Sequence, residues 1–280
     1  MICYEELGSR ENPTLVCIPG LLGGPIDFSV MTPVWKEKAH FIVLDPDRNR
    51  FQGQTTALSH EEMTEGLYNS SSEDIVEILD HLGIKSTFLV GISLGSKIVY
   101  DFAVKNKERF LGGVSIDVGP GPFEETALHR FVDEFVIKLD LNIPFEEMKV
   151  LLNERIPDRN LRSMIRTQLY YPNRKPPAIW RNGMKHFGEM LGQSLKEGDI
   201  QDQFAGLEAI DGYLASHKRF IYVLHAETIS AINADTLPRL KAFKSVKFTS
   251  VPNTSHFLHV THKEVVIEEV LKMLREGTAK

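Results

Sequence analysis

Short apolar runs recur along the chain at Thr14–Ile18, Phe41–Leu44, Thr87–Val90, Gly113–Ile116, Phe220–Leu224 and Val246–Val251. Most are continuous rather than alternating, the pattern of strands covered on both faces. Between them the apolar positions fall at helical spacing. Over Ser72–Leu82, residues Ile75, Ile78, Leu79 and Leu82 share one face, and Leu94–Arg109 and Glu264–Leu274 behave the same way. Strand and helix in alternation predict an α/β fold, a mostly parallel doubly wound sheet with helices on both faces.

The alternation breaks between Gly119 and His217. No strand is predicted there, only helical pieces near 124–139, 145–153, 160–169 and 178–195, punctuated by Pro144, Pro157, Pro172, Pro176 and Pro177. The expected organisation is a core of residues 1–119 and 218–280 with a helical cap, 120–217, inserted between two late strands. A cap so placed covers the carboxyl ends of the strands, where such sheets bind ligands.

Composition narrows the function classes. The 280 residues are 42% hydrophobic and 25% charged, as in an ordinary globular protein. Lys and Arg number 32 against 38 Asp and Glu, a formal charge of −6 without basic clusters, so no nucleic-acid partner is expected. Cys17 lies in an apolar run, and with Cys3 the only other cysteine, a buried reduced thiol is the reading. No apolar stretch reaches the roughly 18 residues of a membrane span, and Met1–Glu6 shows no basic-then-apolar leader. A cytoplasmic protein without a membrane partner is expected; the oligomeric state stays open.

Chemistry enters with Gly91-Ile-Ser-Leu-Gly95. Alone, Gly-x-Ser-x-Gly would arise by chance in roughly one chain in ten of this length. Its flanks carry the weight: a strand-like run ends immediately before it and an amphipathic helix begins at Leu94. A strand, sharp turn and helix demand small residues at positions 91 and 95, and they present Ser93 as a nucleophile at a helix N-terminus. The Leu94 N–H can then point at a developing oxyanion. A serine merely capping a helix after a turn glycine is the plainer alternative.

Gly91–Ala103, followed by Glu108-Arg-Phe110 and Gly113–Asp117, resembles the nucleophile-elbow region of the α/β-hydrolase superfamily. The likeness extends over most of the chain. Ile18-Pro-Gly-Leu-Leu-Gly-Gly24 is similar to the family's oxyanion loop, with Pro19 where His is usual. Asp45-Pro-Asp-Arg48 matches its Asp-x-Arg stretch, although Asn49–Thr55 lacks the usual glycine pattern. Ser255-His256-Phe-Leu-His259 resembles the segment bearing the base, with Ser255 in place of Gly. Trp180-Arg181 is similar to some small esterases with a helical cap.

The resemblance implies a base, an acid and a second oxyanion donor. A base must reach Ser93 from a loop at the carboxyl end of a strand, and His256 follows the last apolar run. His259 and His262, expected at the start of the final helix, are its competitors. In most of the family the acid follows the strand represented by Phe220–Leu224, near Ile229 or Ser230, where no carboxylate stands. A minority, including small bacterial esterases, carry it after the sixth strand of the family's fold, 24 residues beyond the nucleophile, which here is Asp117. Glu227 and Asp235 remain alternatives, as does a dyad. The second oxyanion donor is implied to be the Leu21 N–H, beside that of Leu94.

No cofactor is expected. Gly20–Gly24 lacks a P-loop lysine and the Gly-x-Gly-x-x-Gly spacing. No metal is expected either, since His259-Val-Thr-His262 has no third ligand nearby in sequence. The leading expectation is a carboxylic ester hydrolase acting on a small acyl ester or thioester. Carbon–carbon bond hydrolysis, lyase or cofactor-independent oxygenase chemistry on the same triad, and a catalytically silent ligand-binding protein, are the alternatives. Serine at position 93 argues against haloalkane dehalogenase and most epoxide hydrolase chemistry, which by family resemblance would place Asp there. Phe123, Phe131, Phe135, Tyr170, Trp180 and Phe187 are candidates to line an acyl pocket or to form the cap's own core.

Overall fold

A computed structural model describes residues 3–20, 23–45, 72–122, 130–180 and 202–279. These fall into two compact units, one built from 3–20, 23–45, 72–122 and 202–279, the other from 130–180.

The first unit is organised on a seven-stranded sheet. Its strands are β1 (Cys3–Leu7), β2 (Thr14–Ile18), β3 (His40–Asp45), β4 (Thr87–Ile92), β5 (Phe110–Ile116), β8 (Ile221–Ala226) and β9 (Val246–Val251), with β6 (Leu169–Tyr170) and β7 (Ile179–Trp180) in the other unit. They lie in the order β1-β3-β2-β4-β5-β8-β9. Only β1 runs antiparallel, against β3; the other pairings are parallel. The architecture is the expected α/β fold, a mostly parallel sheet with helices on both faces.

Alternate residues along the central strands feed two separate cores. Val16, Ile18, Ile42, Leu44 and Val223 pack with helices α1 (Ser72–His81), α2 (Leu94–Lys105) and α5 (Phe204–Ser216). Leu15, Cys17, Phe41, Val43 and Leu224 pack with Trp35 and with α6 (Lys263–Thr278). Both faces being buried, most positions are apolar, and this produces the near-continuous hydrophobic runs; buried Thr87 and Ser115 each bond a backbone carbonyl. Burial also pushes the Cys17 thiol well above its ordinary pKa.

Three features differ from the sequence reading. Strand β1 was not expected, because Tyr4, Glu5 and Glu6 give it no apolar run; it is an edge strand, pinned where His40 Nε2 meets Glu6 Oε1 at 2.8 Å. Residues 204–216 fall within the bounds expected for the cap, with no helix named there; they form α5, which belongs to the first unit, where Phe204, Leu207, Ile210 and Leu214 pack against the sheet. The insertion also contains strands, the short antiparallel pair β6 (Leu169–Tyr170) and β7 (Ile179–Trp180), too brief to leave a periodic signal.

In the second unit, α3 (Phe145–Arg155) buries Met148 and Leu152. Helix α4 (Arg159–Gln168) buries Ile165 and is capped by Asp158, whose carboxylate accepts the Leu161 N–H at 2.7 Å. Of the piece expected near 124–139, residues 130–139 are described and include the helical segment Val132–Val136, whereas the piece near 178–195 lies outside the described residues beyond Trp180. No helix among the described residues is long and apolar enough to cross a membrane.

Candidate active site

Strand β4 delivers the chain into Ser93, and α2 begins at the next residue. Ser93 has φ 52° and ψ −117°, a conformation that L-residues rarely adopt. Bonds on both sides hold it there. Ser93 N donates to Ile116 O at 3.0 Å, and Ser96 N donates to Ser93 O at 2.9 Å. The buried Ser96 hydroxyl donates to Gly91 O at 2.9 Å and accepts from Ile116 N at 3.0 Å, tying the turn to β5. The flanking glycines are steric necessities. A Cβ on Gly91 would sit 2.3 Å from Gly95 O, and one on Gly95 would sit 2.3 Å from Ile18 O.

Asp117 stands at the end of β5, likewise at positive φ (55°), and is fully buried. A buried carboxylate is costly unless its oxygens are satisfied. Here Oδ1 accepts from Ala226 N at 2.8 Å and Ser230 Oγ at 2.6 Å, while Oδ2 accepts from Ala231 N at 3.1 Å. The remaining partner is His256, whose Nδ1 lies 2.8 Å from Oδ2 and whose Nε2 lies 2.8 Å from Ser93 Oγ. An ionised carboxylate only accepts, so Nδ1 carries the proton and Nε2 is left to receive one from the serine. The imidazole keeps 22% of its side-chain surface exposed, whereas the carboxylate keeps none.

The convergence follows from sheet order. Ser93 follows β4, Asp117 follows β5, the 227–231 loop follows β8 and His256 lies beyond β9. These four strands are consecutive neighbours and parallel, so their carboxyl ends share one edge. Asp117 follows the fifth strand along this chain, where the family's count makes it the sixth.

Neither rival acid is hydrogen-bonded to His256. Glu227 Oε2 accepts from Asn253 N at 3.2 Å, at a residue with φ 57° in the loop before the base. Asp235 is exposed in a short helical turn, its N–H on Asn233 Oδ1 at 2.9 Å. Of the rival bases, His262 precedes α6 with Nδ1 3.0 Å from Thr261 Oγ1. His259 sits in the short helical turn Leu258–Thr261 and is buried; its Nδ1 finds no partner among the described residues. Burial, aided by the neighbouring His256, pushes its imidazole down to about 4. Ser230 is the residue that sequence reasoning passed over. Lacking a carboxylate, it gave no sign of its contact with Asp117.

Of the expected oxyanion donors, Leu94 opens α2, where first-turn N–H groups have no intrahelical acceptor. Leu21 lies outside the described residues. Its neighbour Gly20 approaches Ser93 so closely that an added Cβ would meet Ser93 Cβ at 3.2 Å. Farther along, Gly23 N closes a turn on Gly20 O at 2.9 Å, and Gly24 N donates to Asp27 Oδ2 at 3.2 Å. Burial raises the Asp27 carboxyl to about 6, against the lowering effect of that Gly24 bond.

Phe131 and Phe135 pair at 5.2 Å between ring centroids, and Trp180 and the exposed Tyr170 belong to the β6–β7 pair. Phe123 and Phe187 lie outside the described residues. Among the described residues no group of three or more His, Cys, Asp or Glu could hold a metal ion.

Comparison with known proteins agrees with the fold. A family model described as alpha/beta hydrolase fold matches residues 13–263. The uncharacterized hydrolase YugF of Bacillus subtilis (strain 168) is 28% identical over 110 residues, 39% of this chain and 38% of that protein. The sn-1-specific diacylglycerol lipase ABHD11 of Xenopus tropicalis is 24% identical over 205 residues, 71% of this chain and 62% of its own length. The chain thus spans less than two thirds of either relative. Among solved structures, an esterase from a marine microorganism superposes with a TM-score of 0.75 at 16% identity, covering 97% of this chain and 98% of its own, which is a likeness of fold.

Proposed function

The chain belongs to the α/β-hydrolase fold family, and from that premise we propose that it is a carboxylic ester hydrolase working through a Ser93–His256–Asp117 triad. The observation carrying this reading is the chain of two 2.8 Å contacts from Ser93 Oγ through the imidazole to Asp117. The esterase and lipase names of similar proteins lend it an ester substrate.

In the proposed mechanism Ser93 Oγ attacks the acyl carbonyl while His256 Nε2 takes its proton. Asp117 keeps the ring oriented and stabilises the imidazolium. The N–H of Leu94, with that of Leu21 by family resemblance, receives the tetrahedral oxyanion. His256 returns the proton to the departing alcohol or thiol, leaving an acyl group on Ser93. Water, deprotonated by His256, then releases the acid. The substrate class is a small acyl ester or thioester.

A fluorophosphonate probe and short p-nitrophenyl esters test this together. The wild-type protein is expected to be labelled on Ser93 and to hydrolyse the esters, and Ser93→Ala to lose both while melting normally. His256→Ala should fall by several orders of magnitude in kcat. Wild-type turnover by Ser93→Ala would end the covalent mechanism.

A further inference from the structure

Three of the four hydrogen bonds on the Asp117 carboxylate come from one stretch of chain, Ala226–Ala231. The same stretch engages the segment that leads to the base. Thr228 N donates to Thr254 O at 2.9 Å, Ile229 bridges to Ser255, and Glu227 Oε2 takes the Asn253 N–H. Two of its bonds to Asp117 are backbone groups that any residue could supply. The third is the Ser230 hydroxyl.

Ser230 is itself held. Its Oγ accepts the Ile232 N–H at 2.9 Å, so its hydrogen is directed to the carboxylate, which can only accept. It donates to Oδ1, the oxygen turned away from His256, while Oδ2 meets Nδ1. A carboxylate's terminal torsion is broad and intrinsically undecided. Ala226 N and Ser230 Oγ both bond the far oxygen, and the shorter of the two, from the serine, is the one a side-chain change removes.

We propose that Ser230 is a positioning residue for the hydrolytic reaction: it fixes the rotation of the Asp117 carboxylate so that Oδ2 stays on His256 Nδ1. This inference rests on the triad reading above. In chemical terms it assigns to the loop after β8, whose Glu227 accepts from Asn253 N, the task of orienting the Asp117 carboxylate that follows β5.

The test compares Ser230→Ala, Ser230→Thr and Asp117→Asn on a p-nitrophenyl ester, alongside the downfield proton resonance of the His256 Nδ1–H. Ser230→Ala should lose about tenfold in kcat with KM within twofold, the scale of one hydrogen bond to a charged group. Its Nδ1–H resonance should shift or broaden. Ser230→Thr, which keeps the hydroxyl, should restore both. Should Ser230→Ala fail to fold, Ser230→Cys, a weak donor of similar shape, takes its place with the same expectation. Wild-type kcat and an unmoved resonance in the hydroxyl-free variant, with Asp117→Asn inactive, would overturn the proposal alone. An active Asp117→Asn would overturn the triad reading and this inference with it.

Discussion

His256 Nδ1 lies 2.8 Å from Asp117 Oδ2, although 139 residues of sequence separate them. The two residues follow β9 and β5, and between these strands stands β8, whose following loop bonds to Asp117 and to the segment before His256. Asp117→Asn should therefore favour the wrong imidazole tautomer and lower kcat on the order of 10⁴-fold, with KM little changed. Glu227→Gln, which keeps an oxygen for Asn253 N, and the exposed Asp235→Asn should each stay within about tenfold of wild type. Steady-state kinetics on one ester decide it, and a dead Glu227→Gln beside an active Asp117→Asn would reverse the assignment.

The elbow gives a purely steric prediction. Gly95→Ala drives a methyl group to 2.3 Å from Ile18 O, backbone that cannot turn aside. A loss of more than about 3 kcal/mol, or failure to accumulate folded protein, is expected. Gly212→Ala is the matched control. It lies exposed within α5, and its added Cβ meets nothing within 4 Å. Relief from helical glycine should there stabilise by roughly 0.5–1 kcal/mol. Thermal melting of the pair separates crowding from propensity.

Burial of His259 makes stability depend on pH. Its imidazole is lowered from 6.5 to about 4, so the unfolded chain binds a proton that the native state refuses. The stability associated with the neutral ring is complete above pH 6.5 and drains as pH falls towards 4, by about 2–3 kcal/mol. His259→Gln should retain hydrolysis at pH 7.5 and flatten this decline. Urea unfolding at pH 7, 6 and 5 measures it, and parallel declines in both proteins would refute the attribution.

Asp27 acts in the opposite sense. Its carboxyl is raised from 3.8 to about 6, so ionisation costs the native state more than the unfolded one. Stability then falls as pH rises from about 4 to 6 and stays reduced above. Asp27→Asn, whose amide oxygen can still accept the Gly24 N–H, should be about 1–2 kcal/mol more stable than wild type at pH 7. That advantage should vanish near pH 4. A variant less stable at pH 7 would show that the charged bond to Gly24 outweighs the burial.

The sequence by itself determined what depends on neighbours along the chain. Continuous apolar runs marked the central strands because a strand buried on both faces favours apolar residues at successive positions. Gly91 and Gly95 marked the elbow because a side chain at either would strike backbone only a few residues or one strand away. The likeness at Ser255–His259 pointed to His256 as base, and a spacing of 24 residues pointed to Asp117 among three carboxylates. Only the tertiary structure decided which of those carboxylates meets the imidazole, that α5 packs on the sheet, and that Ser230 grips the acid. Each is settled by strand order or by the surface a helix finds, and contacts across more than a hundred residues leave no periodicity in sequence. A serine's hydroxyl is a generic donor until the fold places a buried carboxylate beside it.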